Sequence, residues 1–418
     1  MKKSVVLLAL LAGLVVFAMV YQKSRNQRMN SARLKGVAMR ELLLPDLAVK
    51  DIRKIRIREG KFEANLAVQG DRWVVVDRSG YPAAFDRINR AVENLSQTRI
   101  NAKNEVGESV LGQLKLLAPA ENVGEESSGL QVELMNEKGE SLGSFVAGVS
   151  TQTTGGANSG NWMGATEQRY VRTPDDASTV WLTNNAYSDW SADPKEWTNK
   201  AFITANDIMG MGVKGADAES SWQVGRADVK DGFIVEGATA DQELEPGIAS
   251  MLPNLLSGIV FSDVHPGEKE AELMKNPITV TAATAGGFNY QLKVAEKPVT
   301  ESDAAAEPSV YLTVKAATDI PAERPPEKDE KPEEKTARDE AFANLKKKAE
   351  EQLAKEKQLE GWVFEVPKSS LEAVFKKRSE VLVKKGAAQQ DAPPQQPGGG
   401  IPGLPPGFQL PGMPGGGQ

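Results

Sequence analysis

Residues 51–60 read DIRKIRIREG and residues 207–216 read DIMGMGVKGA, the same phrase in outline written twice, 156 positions apart. A slide of 160 then lays the segment from Phe62 to Ile100 on Trp222 to Val260 without a gap. Trp73 meets Phe233, Val75 meets Val235, Ile88 meets Ile248, Val92 meets Leu252 and Leu95 meets Leu255. Aromatic falls on aromatic and aliphatic on aliphatic at nearly one offset, which is how an internal repeat shows itself.

Each copy opens on strands. KIRIRE (54–59) puts Ile55 and Ile57 on one face, and FEANLAVQ (62–69) alternates Phe62, Ala64, Leu66 and Val68 against polar neighbours, the period of a half-buried strand. Gly70 and Asp71 turn the chain into RWVVVD. Phe85, Ile88, Val92 and Leu95 then recur at helical spacing and predict an amphipathic helix lying on the sheet. In the second copy Pro246 suits a first helical turn, whereas Pro253 falls inside the helix and removes a hydrogen bond. LQVELMNEKGESLGSFVAG (130–148), with NEKG as its turn, answers ITVTAATAGGFNYQLKVAE (278–296), and RYVR and STVWLT answer VYLTV and GWVFEV. Short helices around Pro194 to Ala201 and Ser369 to Lys385 close the copies. The predicted class is α+β: two tandem modules, 46–205 and 206–386, each an antiparallel β-sheet with helical cover.

Three stretches fall outside that pattern. After a basic start at 1–4, residues 5–21 read VVLLALLAGLVVFAMVY without a charge; as a helix this covers about 26 Å, just enough to span a bilayer, with Tyr21 at the interface. No A-x-A site precedes the polar QKSRNQR, so an uncleaved single-pass transmembrane anchor is expected rather than a signal peptide, followed by a juxtamembrane linker at 22–45. Lys23, Arg25, Arg28, Arg33 and Lys35 after the span weigh towards an inside body, while the short basic start weighs towards export; the expectation is an inner-membrane protein with its body in the periplasm. In the insertion 321–360, twelve acidic and ten basic residues leave too little apolar surface for a core. From Thr336 it suits a charged helix whose narrow stripe is Phe342, Leu345, Ala349 and Leu353, a solvated helix in preference to one that docks on a partner. The tail 387–418 holds eight prolines and nine glycines and is expected to stay disordered.

The order DIRKIRI, GDRWVVV, YPAAFDRINRAVENLSQTRI, LGQLKLLAP, then RYVR, WTNKAF and GWVFEVPKSSLEAVFKKRSEVL resembles the bacterial domain-of-unknown-function 4340 (DUF4340) family over roughly 46–386. That resemblance implies a membrane-anchored envelope protein associated with ABC-type transport components of the kind linked to gliding motility. It implies no activity and no catalytic residues. The charged insertion and the long tail depart from the family pattern.

Composition narrows the chemistry. The 418 residues carry a formal net charge of −7, which gives no electrostatic reason to seek nucleic acid. No cysteine is present, so thiolate chemistry is excluded, and the single histidine, His265, excludes any site needing two imidazoles. TTGGANSGN (153–161) is glycine-rich but lacks the phosphate-loop lysine, and the adjacent Asp175 and Asp176 crowd one turn rather than face each other. No metal or cofactor is expected.

The remaining enrichment is aromatic: Trp162, Trp181, Trp190 and Trp197 fall within thirty-six residues, with Tyr170 and Tyr187 among them. Such residues serve as core, as a partner surface or as a stacking platform for sugars. The leading expectation is a noncatalytic accessory or scaffold subunit of a transport or motility-like assembly, acting on a membrane-protein partner through protein–protein contacts. A cell-wall or polysaccharide binder using those tryptophans is the alternative, and an enzyme working with carboxylates alone is the second.

Overall fold

The computed structural model describes residues 41–120, 123–152, 167–174, 178–299, 307–325, 330 and 332–386. The expected anchor at 5–21, the glycine-rich 153–161, Trp162, the Asp175–Asp176 pair and the tail lie outside the described residues. Among the described residues no helix is long and apolar enough to cross a membrane. The chain divides into two compact units: unit 1 is Met1–Phe202 with Val260–Leu273 and Gly361–Pro367, and unit 2 is Ile203–Ile259, Met274–Glu360 and Lys368–Gln418. Both are antiparallel β-sheets with few helices, a mixed α+β architecture.

In unit 1 the strands are β1 (Lys54–Glu59), β2 (Phe62–Gln69), β3 (Arg72–Val75), β4 (Tyr81–Pro82), β5 (Ile100–Glu105), β6 (Leu130–Met135), β7 (Ser141–Gln152), β8 (Glu167–Arg172) and β9 (Thr179–Thr183). They form one sheet in the order β4-β3-β2-β1-β6-β7-β8-β9-β5. The period-two pattern sets its faces: Ile55, Ile57, Ala64, Leu66, Val132 and Leu134 turn inward and are buried. Asn136 and Gly139 close the β6–β7 turn, where Gly139 takes φ +85°, a conformation that favours glycine.

The helix Phe85–Ser96 covers the inward face with Ile88, Ala91, Val92 and Leu95. Two positions differ from the expected pattern. Phe62 and Phe85 are 57% and 59% exposed, because the first residue of a strand or helix precedes the point where the element meets the core. The closing helix expected around Pro194 to Ala201 is only a 3₁₀ turn, Pro194–Trp197, capped by Asp193 accepting from the Lys195 N–H.

Unit 2 carries β10 (Ile208–Lys214), β11 (Trp222–Gly225), β12 (Ile234–Val235), β13 (Gln242–Leu244), β15 (Ile278–Thr284), β16 (Phe288–Glu296), β17 (Ser309–Thr318) and β19 (Leu382–Lys384). Its main strands run in the order β12-β11-β10-β15-β16-β17, and β13 pairs with β19. Pro246 does occupy the first turn of a helix, Pro246–Met251, whose free N–H groups at Gly247 and Ile248 are capped by the Glu245 carboxylate. Pro253 lies in a 3₁₀ turn, Leu252–Asn254, where the α-helix has already ended. The expected Ser369–Lys385 helix is broken in the same way into a 3₁₀ stretch, Lys368–Phe375, a turn of helix, Arg378–Val381, and β19. The insertion forms one helix, Pro332–Glu356.

The two remaining strands, β14 (Asp263–Pro266) and β18 (Trp362–Pro367), pair antiparallel and belong to unit 1. They bring Phe261, Trp362 and Phe364 around Tyr81, which meets Trp362 edge-on at 5.0 Å and Phe364 at 6.1 Å. Arg78 donates to both carboxylate oxygens of Asp263, at 2.6 and 2.9 Å. Unit 1 is thus closed by chain from far downstream of its own sheet.

Burial drives the Tyr81 and Tyr187 phenols above the ordinary tyrosine range, against a smaller opposing contribution at Tyr187 from Thr183 and Arg169. The folded chain therefore keeps protons that the unfolded chain releases above about pH 10, so stability is full below that pH and falls as pH rises beyond it. The unfolding free energy measured by urea titration is expected to decline from about pH 10 upward, by up to about 1.4 kcal/mol per pH unit for each fully buried phenol. Tyr187→Phe should flatten the decline; an equal slope in that variant would show that Tyr187 does not contribute.

Candidate functional site

The clustered aromatics are for the most part core. Tyr187, Trp190 and Trp197 are buried with Phe145, whose ring lies 4.9 Å from Tyr187 and 6.3 Å from Trp190, and Trp190 lies 6.0 Å from Trp197. The polar atoms of two of them are partnered: the Trp197 indole donates to the Ser191 carbonyl at 2.7 Å, and the Tyr187 hydroxyl pairs with Thr183 at 3.1 Å. Trp181 is half-buried beneath the Lys103 ammonium at 4.7 Å. Tyr170 packs on the small cluster of Leu111, Leu116 and Val180. The structure brings Tyr187, Trp190 and Trp197 together as filling, and this packing leaves none of the three an open ring face.

Reactive side chains are employed in the same way. Asp263 and Glu365 stand opposite each other on β14 and β18, the one facing pair of carboxylates that the strand register creates near His265. Two like charges directly opposite would be unfavourable alone. Arg78 takes Asp263 in a bidentate pair, and the His265 ring nitrogen Nε2 stands 3.8 Å from Glu365. Lys200 donates to the carbonyls of Ser262 and Phe261 at 3.0 and 3.4 Å and lies over the Phe261 ring. Its burial holds the amine below the usual lysine range, against the pull of Asp263 and Glu196.

Sequence reasoning missed the most enclosed carboxylate among the described residues. Glu356, in the insertion helix read as solvated, is 3% exposed. It accepts from the Tyr290 hydroxyl at 2.6 Å, from the Thr204 N–H and hydroxyl at 3.1 and 3.3 Å, and from Gln352 at 3.0 Å. Burial first, and then the bond to Glu356 and its charge, keep the Tyr290 phenol protonated far above its ordinary range. The available signal was the four-residue spacing of Gln352 and Glu356 near the C-terminal end of the stripe.

Two grooves remain. One, about 780 Å³ in unit 1, runs beside Lys61, Phe62 and Arg169, where Gly129 and Gly148 let the chain at Leu114 and Lys115 approach so closely that a Cβ at either would meet backbone oxygen within 2.4 Å. Its Arg169 is spent on the carbonyls of Gly148 and Ala186. The other, about 720 Å³, lies on the sheet of unit 2. Met211, Ala282, Tyr290 and Ala316 are buried on the inward face, so the alternating residues Gly210, Gly212, Thr281, Ala283, Gln291 and Lys315 make the outer one.

Residues 73–277 match the family model described as domain of unknown function (DUF4340). The match supports that family for this chain. No curated protein and no solved structure matches it. The DUF4340 match begins in β3 and ends just before β15, so it takes in the helix Phe85–Ser96, the aromatic core and β14, whereas Thr281, Gln291 and Lys315 of the second groove lie beyond it.

Proposed function

We propose that this protein is a noncatalytic, membrane-anchored envelope protein, an accessory or scaffold subunit of a transport or motility-like assembly that acts through protein–protein contacts. The observation that carries this reading is the employment of its reactive groups: Asp263 is held by Arg78, Lys200 caps two carbonyls, and Glu356 accepts four hydrogen bonds. Groups so engaged hold a shape rather than wait for a substrate. The apolar stretch 5–21 supplies the anchor, and the body begins where Leu43 donates to Thr98 and Ile100 donates to Glu41. Fully extended, residues 22–40 allow the body to stand up to about 65 Å from the membrane, on its periplasmic side.

The scaffold is two copies of one half. In support, β1 pairs with both β2 and β6 as β10 pairs with β11 and β15, and the strand after each helix, β5 or β14, pairs with the last of its series, β9 or β18. Ile88, Val92 and Leu95 are buried as are Ile248, Leu252 and Leu255.

The test is purification of the tagged full chain in detergent, which should recover a stoichiometric membrane partner, together with protease added outside spheroplasts, which should digest the body. Repeated recovery of the protein alone would remove the subunit reading. Complete protection from protease would remove the periplasmic one.

A further inference from the structure

We infer that the outer face of the unit 2 sheet is a binding groove for a linear polysaccharide carrying carboxylates, a site separate from any protein-partner contact. The groove continues past the residues already described: a second hollow of about 550 Å³ shares Gly212, Gln223 and Thr281 with it and ends at Glu236 and Arg378. Together they form a trough crossing β17, β16, β15, β10 and β11, five strands whose spacing makes it about 19 Å long, enough for roughly four sugar rings.

The floor is backbone. Gly210 and Gly212 present no side chain, and neither has a positive φ, so conformation does not require glycine at either place. A Cβ built on Gly210 would meet nothing closer than the Val224 carbonyl oxygen at 3.6 Å. Gly210 preserves open space along the floor, through which a chain can lie against the sheet, whereas a Cβ on Gly212 would come within 2.9 Å of the Thr281 hydroxyl, so that glycine makes room for the threonine.

The lining chooses the occupant. Gln223 and Gln291 carry amides and Thr281 a hydroxyl, each able both to donate and to accept, as the hydroxyls of a sugar require, while the Asn289 amide already donates to Asp319. Among the described residues the side chains of Gln223, Gln291 and Lys315 make no hydrogen bond, in contrast to the outer face of unit 1, where Arg58, Gln131 and Glu133 bond to one another. Peptide grooves use apolar pockets as anchors. Here Met211, Val213, Trp222 and Tyr290 are all buried in the sheet's other face and offer none.

Charge adds the carboxylates. Lys214, Lys315, Lys357 and Arg378 border the trough against Glu236 and Glu360, and Glu360 already accepts from the Ala316 N–H. A locally cationic trough on a chain of net charge −7 is complementary to an acidic ligand, and because it is open its attraction is screened by salt.

The test is calorimetric titration of the full chain in detergent with tetragalacturonate, with maltotetraose and hexaglutamate in parallel. Tetragalacturonate is expected to bind with a Kd of about 0.1–1 mM, weakening with salt, and at least about tenfold more tightly than either comparator. Gly210→Leu, which fills the floor, and Lys315→Glu should each weaken it about tenfold or more with an unchanged circular dichroism spectrum. Should Gly210→Leu fail to fold, Ala317→Trp on the exposed rim blocks the same trough and should do the same. The inference is overturned by no binding up to about 10 mM, by equal binding of maltotetraose, by tighter binding of hexaglutamate, or by wild-type affinity in the folded blocking variant.

Discussion

Tyr81→Ala is expected to lower the stability of the protein by about 3–5 kcal/mol, the range for truncating a large buried aromatic. Tyr81 is 3% exposed and meets Phe261, Trp362 and Phe364 edge-on, with interplanar angles of 79°, 89° and 80°. Edge-to-face pairs contribute about 0.5–1.5 kcal/mol each beyond the area they bury. The rings behind it are packed in turn, Phe202 lying 4.9 Å from Phe364 and Phe261 lying 5.0 Å from it, so the hole left by alanine cannot collapse without moving several large side chains. Tyr81→Phe removes only the long bond to the Asn199 carbonyl at 3.4 Å, and should cost less than about 1 kcal/mol. Urea unfolding of the full chain measures both. If the alanine variant loses less than about 1 kcal/mol, then β14 and β18 do not close unit 1 in solution, and the aromatic box contributes nothing to its stability.

That box is also where reading along the chain stops short. Local patterns found β1 and β2 to the residue, since alternation and the glycines at 60 and 70 mark their ends without help from tertiary structure. The helix Phe85–Ser96 was legible for the same reason, although Ala91, small enough to pass as neutral, is fully buried where Phe85 was expected to be. The repeat offset placed Ile100 on Val260, yet Val260 is 64% exposed while its neighbours Ile259 and Phe261 are buried. A slip of one position exchanges the faces of a strand, and a linear match of apolar residues does not register it.

Nor does periodicity say that Trp362 and Phe364 will reach Tyr81, because that contact is chosen by the register of β14 on β18 rather than by either segment. The aromatic cluster was legible as an enrichment, but not its fate. Tyr187 and Trp190 are turned inward by the turn at Asn184 and Asn185, whose side chains bond Arg99, Tyr187 and Thr98 across the end of the sheet. The groove of unit 2 left no local signal, since it consists of small and polar residues on alternate positions of strands far apart in sequence.

Glu356→Ala carries the second large expectation, a loss of about 2–5 kcal/mol, since each buried donor left without its acceptor costs about 1–3 kcal/mol. A buried carboxylate is unfavourable unless donors surround it. Here Tyr290, Thr204 and Gln352 supply four, and removing the acceptor leaves the Thr204 N–H and the Tyr290 hydroxyl buried without it. Glu356→Gln keeps one oxygen and the shape but turns an amide towards part of the same set, so it should recover about half of the loss. The location of the effect distinguishes a pin from general loosening. Ala349 and Leu359 are buried near Glu356, whereas Leu345 is 54% exposed, so the helix Pro332–Glu356 is fastened towards its C-terminal end. Hydrogen exchange in Glu356→Ala should therefore rise first from Ala349 to Leu359 and around Thr204, with the sheet of unit 1 unchanged. Stability within about 0.5 kcal/mol of the wild type would mean the four donors find water as readily as they find Glu356. In that case the insertion would be held by its apolar contacts alone, and the charged residues read from the sequence as a solvated face would include this one after all.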